Sequence, residues 1–449
     1  MTDILEQEKK NILDRVEHDK VKFVQLQFID ILGVVKSLTI PVGQLRGSLE
    51  DGTWFDGSSI EGFTRIHESD MFLKPDVDTY AVIPWLTTAY GNTARFICDV
   101  CTHDGNPFEG DPRYILKKAL AEAEKLGYVF KTGPELEFFL FKKENGRLEA
   151  LPHDKAGYFD LTMDKAINIR SEMHEALSQF GIYVEALHHE VADGQHEIDF
   201  RYDYALKTAD HSVTLRFVLK AIAQKHGLHA TFIPKPIAGV SGSGMHTHMS
   251  LFDQDDNNIF FDEHAEYMLS DTATYFIGGI LQHMLGICAV TNPTVNSYKR
   301  LVPGYEAPVY LSWARHNRSA LVRIPRYSKG KSKATRCELR CPDPTCNPYL
   351  AFALMLKAGL NGITAKTIPP APVEEDLFEY STADLKKKNI ATLPASLGEA
   401  IAAMKDSTLV KETLGEHTYT KFIEAKQIEW DQYCLNVSQW ELDRYLEVY

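Results

Sequence analysis

Cysteine is scarce: seven of 449 residues, an odd and scattered set that argues against a disulfide framework and fits reduced thiols. Cys98-x-x-Cys101 and the trio Cys337, Cys341 and Cys346 lack the paired spacing of a zinc ribbon or finger. Basic residues are also in deficit. Lys and Arg total 48 against 62 Asp and Glu, a formal charge of −14, which disfavours a general nucleic-acid or anionic-membrane role. Long apolar runs are missing as well, since the most apolar stretch, 275–290, is interrupted by Gln282 and His283 and reads as a buried helix. The first eleven residues are densely charged and lack the apolar centre of a secretory signal, so a cytoplasmic location is expected. Tandem repeats and low-complexity linkers are absent. So is a complete Gly-x-x-x-x-Gly-Lys-Ser/Thr loop: Gly330-Lys331-Ser332 ends like one, but Pro325 stands where its first glycine is needed. A nucleotide has to be held another way.

What is present is an ordinary globular composition, 44% hydrophobic and 24% charged, long enough for roughly three domain-sized units at about 150 residues each. Residues 21–40 alternate as a hairpin, with Phe23, Val24, Leu26 and Phe28 before a break at Leu32-Gly33. The first hundred residues read as strand-rich. From 101 to 111 the chain turns polar and turn-prone, which places a domain boundary there and divides it into 1–105 and 106–449. Asp111 is then suited to cap a helix that starts at Pro112 and carries Ile115, Leu116, Ala119, Leu120 and Ala123 on one stripe, ending near Gly127. Further helical patterns cover 164–180, 210–226, 272–289 and 348–361, with strand-like runs between them. The class is therefore α+β without a regular βαβ repeat. Residues 364–410, with prolines and acids and then the run Lys386-Lys387-Lys388 within them, read as a surface excursion.

Carboxylates carry the chemical signal. Glu135 and Glu137 lie two apart in an apolar run, so on a strand they share a face, where they repel unless protonated or bridged by a cation. Asp193-Gly194 is a two-residue hairpin signal, and a loop confined to those two would set Glu190 directly across from Glu197. His246 follows a glycine-rich loop, and Glu338 sits near Arg336 and Arg340. Five carboxylates and one imidazole suit hard cations such as magnesium or manganese. The segment 300–340 adds Arg300, Arg315, Arg318, Arg323, Arg326, Arg336 and Arg340 with Lys329, Lys331 and Lys333, a concentration suited to polyphosphate and carboxylate groups.

The ordered segments DGSSIEGF (56–63), GPELEFF (133–139), HHEVADGQHEIDF (188–200), GSGMHTHMSL (242–251), KRLVPGYEAP (299–308), NRSALVRIP (317–325) and RCELRCPDPTCNPYLA (336–351) resemble the type I glutamine synthetase family of bacteria and archaea across essentially the whole chain. The resemblance implies an amino-terminal β-grasp domain and a large catalytic α/β domain. It also implies a homododecamer of two stacked hexameric rings with active sites between subunits, and ATP-dependent ligation of ammonia to glutamate through γ-glutamyl phosphate. By motif, one Mg2+ or Mn2+ ion would be held by Glu137, Glu190 and Glu197, and another by Glu135, His246 and Glu338. ATP would contact Glu185, His248, Ser250, Arg323, Lys333 and Arg336. Glutamate would contact Ser241, Gly242, Arg300, Glu306, Arg318 and Arg340. Asp56 is then expected to deprotonate ammonium, Glu306 to close the site, and Arg323 and Arg340 to offset charge in transfer.

Two departures matter. Ser241 stands where the family usually has Asn, and Phe378, in Asp376-Leu377-Phe378-Glu379-Tyr380, occupies the position of a modifiable tyrosine. Adenylylation is therefore not expected, and Arg65 matches a position linked to feedback by glutamine. The alternatives are a γ-glutamyl ligase for polyamines or other amines, disfavoured by Asp56 and Glu306, and a nitrogen-sensing scaffold that binds a transcription repressor.

Overall fold

The computed structural model describes residues 2–60, 62, 70–144, 147–303, 307–326 and 330–449. The chain opens with helix α1 (Thr2–His18), whose Ile12 and Val16 are buried although most of its surface is charged. The expected hairpin follows as β1 (Val21–Ile29) and β2 (Val35–Pro41), paired antiparallel from Phe23 with Pro41 to Ile29 with Val35. Its turn requires Gly33, which takes φ +81°, while Asp30 Oδ1 accepts from the amides of Leu32 and Val34. After α2 (Leu45–Asp51) come β3 (Thr53–Asp56), β4 (Asp70–Pro75), β5 (Ala81–Val82) and β6 (Asn92–Thr102). The sheet runs β2-β1-β6-β4-β3, with β5 also on β6 and with β1 and β6 parallel. Val24, Leu26, Leu73, Phe96 and Val100 form its core.

Asp111 caps α3 (Pro112–Lys125) through its side chain on the amide of Arg113, as the sequence predicts, and Ile115, Leu116, Ala119 and Ala123 are buried. Next come β7 (Val129–Glu144), β8 (Arg147–Pro152), α4 (Ile167–Gln179), β9 (Val184–His189), β10 (Gln195–Phe200), β11 (Asp203–Tyr204), α5 (Ala205–Lys225), β12 (Leu228–Thr231) and β13 (Met245–Phe252). They are followed by α6 (Asp271–Thr291), α7 (Ser297–Arg300), β14 (Tyr310–Ala314), β15 (Ala320–Arg323), β16 (Cys337–Leu339) and α8 (Pro348–Ala365). The second sheet runs β14-β15-β16-β13-β7-β10-β9, and β8, β11 and β12 also pair with β7. The long strand β7 is thus its spine.

One face of β7 faces helices: Leu136, Phe138 and Leu140 are buried together with residues of α3 and α5. Helix α6 has the length and apolarity of a membrane span, but 72% of that window is buried within the protein, so it is a core helix. It crosses α8 closely. A Cβ at Gly279 would lie 2.1 Å from the Ala358 carbonyl oxygen, so only glycine allows the approach.

The surface excursion expected at 364–410 is corrected in part. The amide of Leu393 donates to Val309 O at 2.8 Å and that of Leu311 to Ala391 O at 2.8 Å, which laces the segment onto β14. Val373, Leu377 and Leu393 are buried, whereas α9 (Thr382–Lys387), with its lysines, is a solvated stretch. Helix α10 (Leu397–Lys405) packs on α6 through Leu397, Ala400, Ile401 and Met404. The carboxyl end is helical: α11 (Thr408–Cys434), kinked at Gly415 with φ +74°, and then α12 (Gln439–Tyr445).

Phe138 is 0% exposed, its ring centroid 5.9 Å from that of Phe232. Phe138→Ala is expected to cost about 3–5 kcal/mol, and Lys388→Ala less than about 0.5 kcal/mol, read as shifts of the urea midpoint at fixed protein concentration.

Candidate functional site

The other face of β7 carries the acids. Glu135 and Glu137 project there because side chains alternate along a strand, and Phe139 and Phe141 continue that face onto Ala192, Ile237 and Val240. Each neighbour then adds charge by register. β10 sets Glu197 opposite Glu137 and Asp199 opposite Glu135, while β13 on the other edge sets His246 opposite Glu135. β16 sets Glu338 opposite His248, and β15 sets Arg323 opposite Glu338.

The predicted pairing of Glu190 with Glu197 is not what forms. His188 lies across from Glu197 and His189 from His196, so the connection runs longer than Asp193-Gly194. Gln195 N–H closes a turn on Ala192 O at 3.0 Å, and Glu190 N–H donates to Gln195 O at 2.7 Å. The reason is backbone conformation. A two-residue turn of that kind needs positive φ at both central positions, and only Gly194, at +67°, adopts it. The like-charge conflict persists, but between Glu137 and Glu197 on β7 and β10.

Ligand atoms of Glu135, His246 and Glu338 lie within 4.8 Å of one another, which brings one predicted ligand set together. Glu190 and Glu197 come together with His188 rather than with Glu137. Glu137 instead accepts from Gln195 Nε2 at 2.7 Å and from the Gly244 amide at 3.1 Å. A third group joins Glu135, Glu197 and Asp199.

Burial, and then the Glu190 charge, pushes the Glu137 carboxyl up to about 8, and burial followed by Glu137 pushes Glu197 well up. Glu338 goes the other way. Burial opposes its charge, but His248, His246, Arg340 and Arg323 outweigh it and hold it below the usual carboxylate range. Arg323 Nε lies 2.6 Å from Glu338 Oε2 and Arg340 Nε 3.2 Å from Oε1. The donor set fits hard divalent ions, because a cation among these oxygens would offset both the burial and the like-charge repulsion that push Glu137 and Glu197 up.

This acidic wall stands between two clefts. One is lined by Glu137, Glu190, Gln195, Lys235, Ser241, Gly242, His246, Arg300 and Arg340. The other, about 490 Å³, is lined by Lys131, Glu135, Glu185, Tyr202, His248, Ser250, Lys333 and Arg336 among others. Arg300, buried, donates to Cys341 O at 2.7 Å and Arg340 O at 3.2 Å. Arg336 Nε donates to His248 Nδ1 at 3.1 Å, and His248 Nε2 lies 2.7 Å from Glu135 Oε1. The Gly242 backbone passes so near Pro234 that a Cβ there would sit 2.1 Å from its carbonyl oxygen.

Not every predicted residue joins. The Arg318 side chain is exposed and lines neither cleft, and its carbonyl oxygen accepts from Arg340. Asp56 sits exposed on the amino-terminal sheet, its Oδ1 accepting from Ser58 N–H at 2.9 Å. Glu306 and Arg65 lie outside the described residues. His188, Gln195, Asp199, Tyr202 and Lys235 were not anticipated. Only Asp199 was findable, by its i+2 spacing from Glu197. Lys235 enters through its Nζ on Val240 O, which ties the glycine loop.

Two family descriptions match the chain: "Glutamine synthetase, beta-Grasp domain" over residues 20–103 and "Glutamine synthetase, catalytic domain" over 109–445. Glutamine synthetase of Thermus thermophilus is 52% identical over 98% of this chain and 99% of its own length. The Methanosarcina mazei glutamine synthetase is 52% identical over 98% of each, and that of Staphylococcus aureus 49% over 98% of each. Among solved structures, a GmaS/ADP complex superposes with TM-score 0.88 at 31% identity over 97% of this chain and 99% of that one. Plasmodium falciparum glutamine synthetase gives 0.87 at 25%, over 97% and 98%.

Since the Glu137 carboxyl, pushed up to about 8, holds a proton at neutral pH, divalent-ion binding is expected to expel it, with affinity rising as pH approaches that value and levelling above it. Calorimetry in two buffers of different ionisation enthalpy measures this. Magnesium binding at pH 7 with no proton release would contradict it.

Proposed function

We propose, for a chain that belongs to the glutamine synthetase family and is an ATP-dependent glutamate–ammonia ligase, that its acidic wall is where phosphoryl transfer from ATP to glutamate occurs. One observation carries this reading: Glu135 lines one cleft while Glu137 and His246 line the other, so a single ridge of ligands serves both. On this reading the amino-terminal domain spans 1–105 and the catalytic domain 106–449.

Glu137, Glu190 and Glu197 would hold one Mg2+ or Mn2+ ion and Glu135, His246 and Glu338 the other, with His188 near the first set. Such ions neutralise phosphate oxygens and align the transferred group. Glu185, His248, Ser250, Lys333 and Arg336 line the cleft assigned to ATP, and a fold relative solved as an ADP complex supports an adenine nucleotide as ligand of this fold. Ser241, Gly242, Arg300 and Arg340 line the cleft assigned to glutamate; the family resemblance would add Arg318 and Glu306, although the Arg318 side chain lines neither cleft of its own chain.

The chemistry follows from the poor leaving ability of oxide. A glutamate side-chain oxygen attacks the γ-phosphorus, ADP departs, and the acyl carbon of γ-glutamyl phosphate becomes open to attack. Arg323 and Arg340, both near Glu338, offset negative charge in that transfer. Ammonium has no lone pair until it loses a proton, which Asp56 accepts, and ammonia then displaces phosphate. Glu306 would exclude water that hydrolyses the acyl phosphate. The amine-ligase and scaffold alternatives are not favoured by relatives that are about half identical and named glutamine synthetase.

The homododecamer, with Asp56 supplied by a neighbour, is supported by the apolar carboxyl end. Leu435, Val437, Trp440, Leu446 and Val448 are all exposed, more than an unassembled surface readily leaves in water. A cytoplasmic location and feedback through Arg65 belong to the same reading. Phe378 at the modifiable position packs against the core, which supports control without adenylylation.

Purified protein given ATP, magnesium, glutamate and labelled ammonium is expected to form glutamine and phosphate in equal amounts, with little product from polyamines. Preference for polyamine would reverse the assignment. Asp56→Asn is expected to lower the ammonium reaction by roughly 10²–10⁴-fold while sparing hydroxylamine, which is already a neutral nucleophile at pH 7. Equal loss with both would remove the proton-acceptor role. Light scattering is expected to give twelve times the 50.8 kDa chain mass, and a much smaller particle for Trp440→Glu.

A further inference from the structure

The loop that carries Glu190 is held from behind by side chains that line neither cleft. Asp154 follows β8 and is 2% exposed. Its Oδ1 accepts from His189 Nε2 at 2.7 Å and from the Gly194 amide at 3.2 Å. These donors stand on the two legs of the connection between β9 and β10, so one carboxylate oxygen closes it. The second ring nitrogen of His189, Nδ1, lies 2.7 Å from the carbonyl oxygen of Glu190. The contact therefore runs from Asp154 through one imidazole to the backbone of Glu190.

The same segment braces the hairpin elsewhere. Tyr158 and Phe159 set their rings edge-on to His188, at 5.7 and 5.0 Å between centroids. Asp164 pairs with Arg170, whose Nη1 donates to His196 Nδ1 at 3.0 Å. His196 in turn meets His189 edge to face at 4.7 Å.

Ligand atoms of Asp154, His189 and His196 lie within 4.8 Å of one another, a spacing a metal ion could use. Proton bookkeeping argues otherwise. Arginine can only donate, so His196 Nδ1 accepts and the hydrogen resides on Nε2, while both nitrogens of His189 already face oxygens. No nitrogen lone pair remains to bind an ion.

We propose that Asp154 is a positioning residue: acting through His189 and Gly194, it presets the Glu190 loop so that the hairpin binds a divalent cation. The proposal rests on reading Glu190 and Glu197 as ligands. A loop that must order itself on binding loses affinity, and disturbing such outer contacts at metal sites costs about 10–100-fold.

Asp154→Ala removes the acceptor that His189 and Gly194 share. Mn2+ binding to the full-length protein, followed by electron paramagnetic resonance, is expected to weaken about 10–100-fold, while turnover at saturating Mn2+ returns to within about twofold of wild type. Binding unchanged within twofold, or a turnover loss that saturating metal does not restore, overturns the proposal. Should the Ala variant fail to accumulate folded, His189→Phe removes the donor from the other side of the same contact and is held to the same two readings. Glu190→Gln separates the two layers. If it binds Mn2+ as tightly as wild type, the ligand reading itself falls; if it weakens binding while the Asp154 variant does not, only the brace falls.

Discussion

Everything at the site follows from acids held against each other on a sheet that cannot yield. Glu137 and Glu197 are direct cross-strand partners, a placement that is unfavourable for like charges and worse when both are buried. The strands cannot slide to relieve it, because a one-residue slip would turn Leu136, Phe138 and Leu140 out of the core. Apolar burial on the helix side therefore fixes the charge geometry on the other. A cation among these oxygens would offset a repulsion that the sheet cannot relieve by moving.

The basic residues are placed to the same end. Glu338 is nearly engulfed, yet Arg323 and Arg340 flank its two oxygens, so it stays ionised where Glu137 does not. Arg300 spends its donors on the carbonyls of Arg340, Cys341 and Pro342, which locks the strand end next to Glu338. Charge of both signs is thus interleaved, and Arg300, Arg336 and Arg340 of the arginine-rich segment belong to the cleft walls, whereas Arg318 does not.

What could be read from residues alone divides along locality. The Asp111-Pro112 cap and the shared face of Glu135 and Glu137 depend on neighbours one to four positions away, and both were legible. The β9–β10 register was not, because it turned on Asp193 declining a positive φ, which sequence does not announce. Once the register moved, His188 and Gln195 became site residues and Glu190 lost its supposed partner. Helix α11 escaped notice for a similar reason: a kink at Gly415 breaks its apolar period. The resemblance to a known family supplied ligand names that spacing could not, yet it left the brace behind the hairpin unmarked.

Asp56 lines neither cleft, so its relation to the chemistry depends on how its sheet is held. That hold is rigid. Arg113 of α3, 2% exposed, reaches Asp76 and Asp99 of the amino-terminal region at 2.6 Å each and Asp210 of α5 at 2.9 Å, while Tyr349 of α8 donates to Asp210 at 2.6 Å. A buried guanidinium stripped of these partners would be an uncompensated charge, so the junction resists rotation. Asn347 Nδ2 on Asp30 O and His417 Nε2 on Gly62 O, at 3.0 and 2.7 Å, pin the sheet at two further points. With the two sheets locked in one chain, Asp56 holds a fixed place relative to its own acidic wall. On the proposed assembly, the packing of one subunit on another would decide which cleft it serves, and assembly would be a condition of the ammonia step rather than an accessory to it.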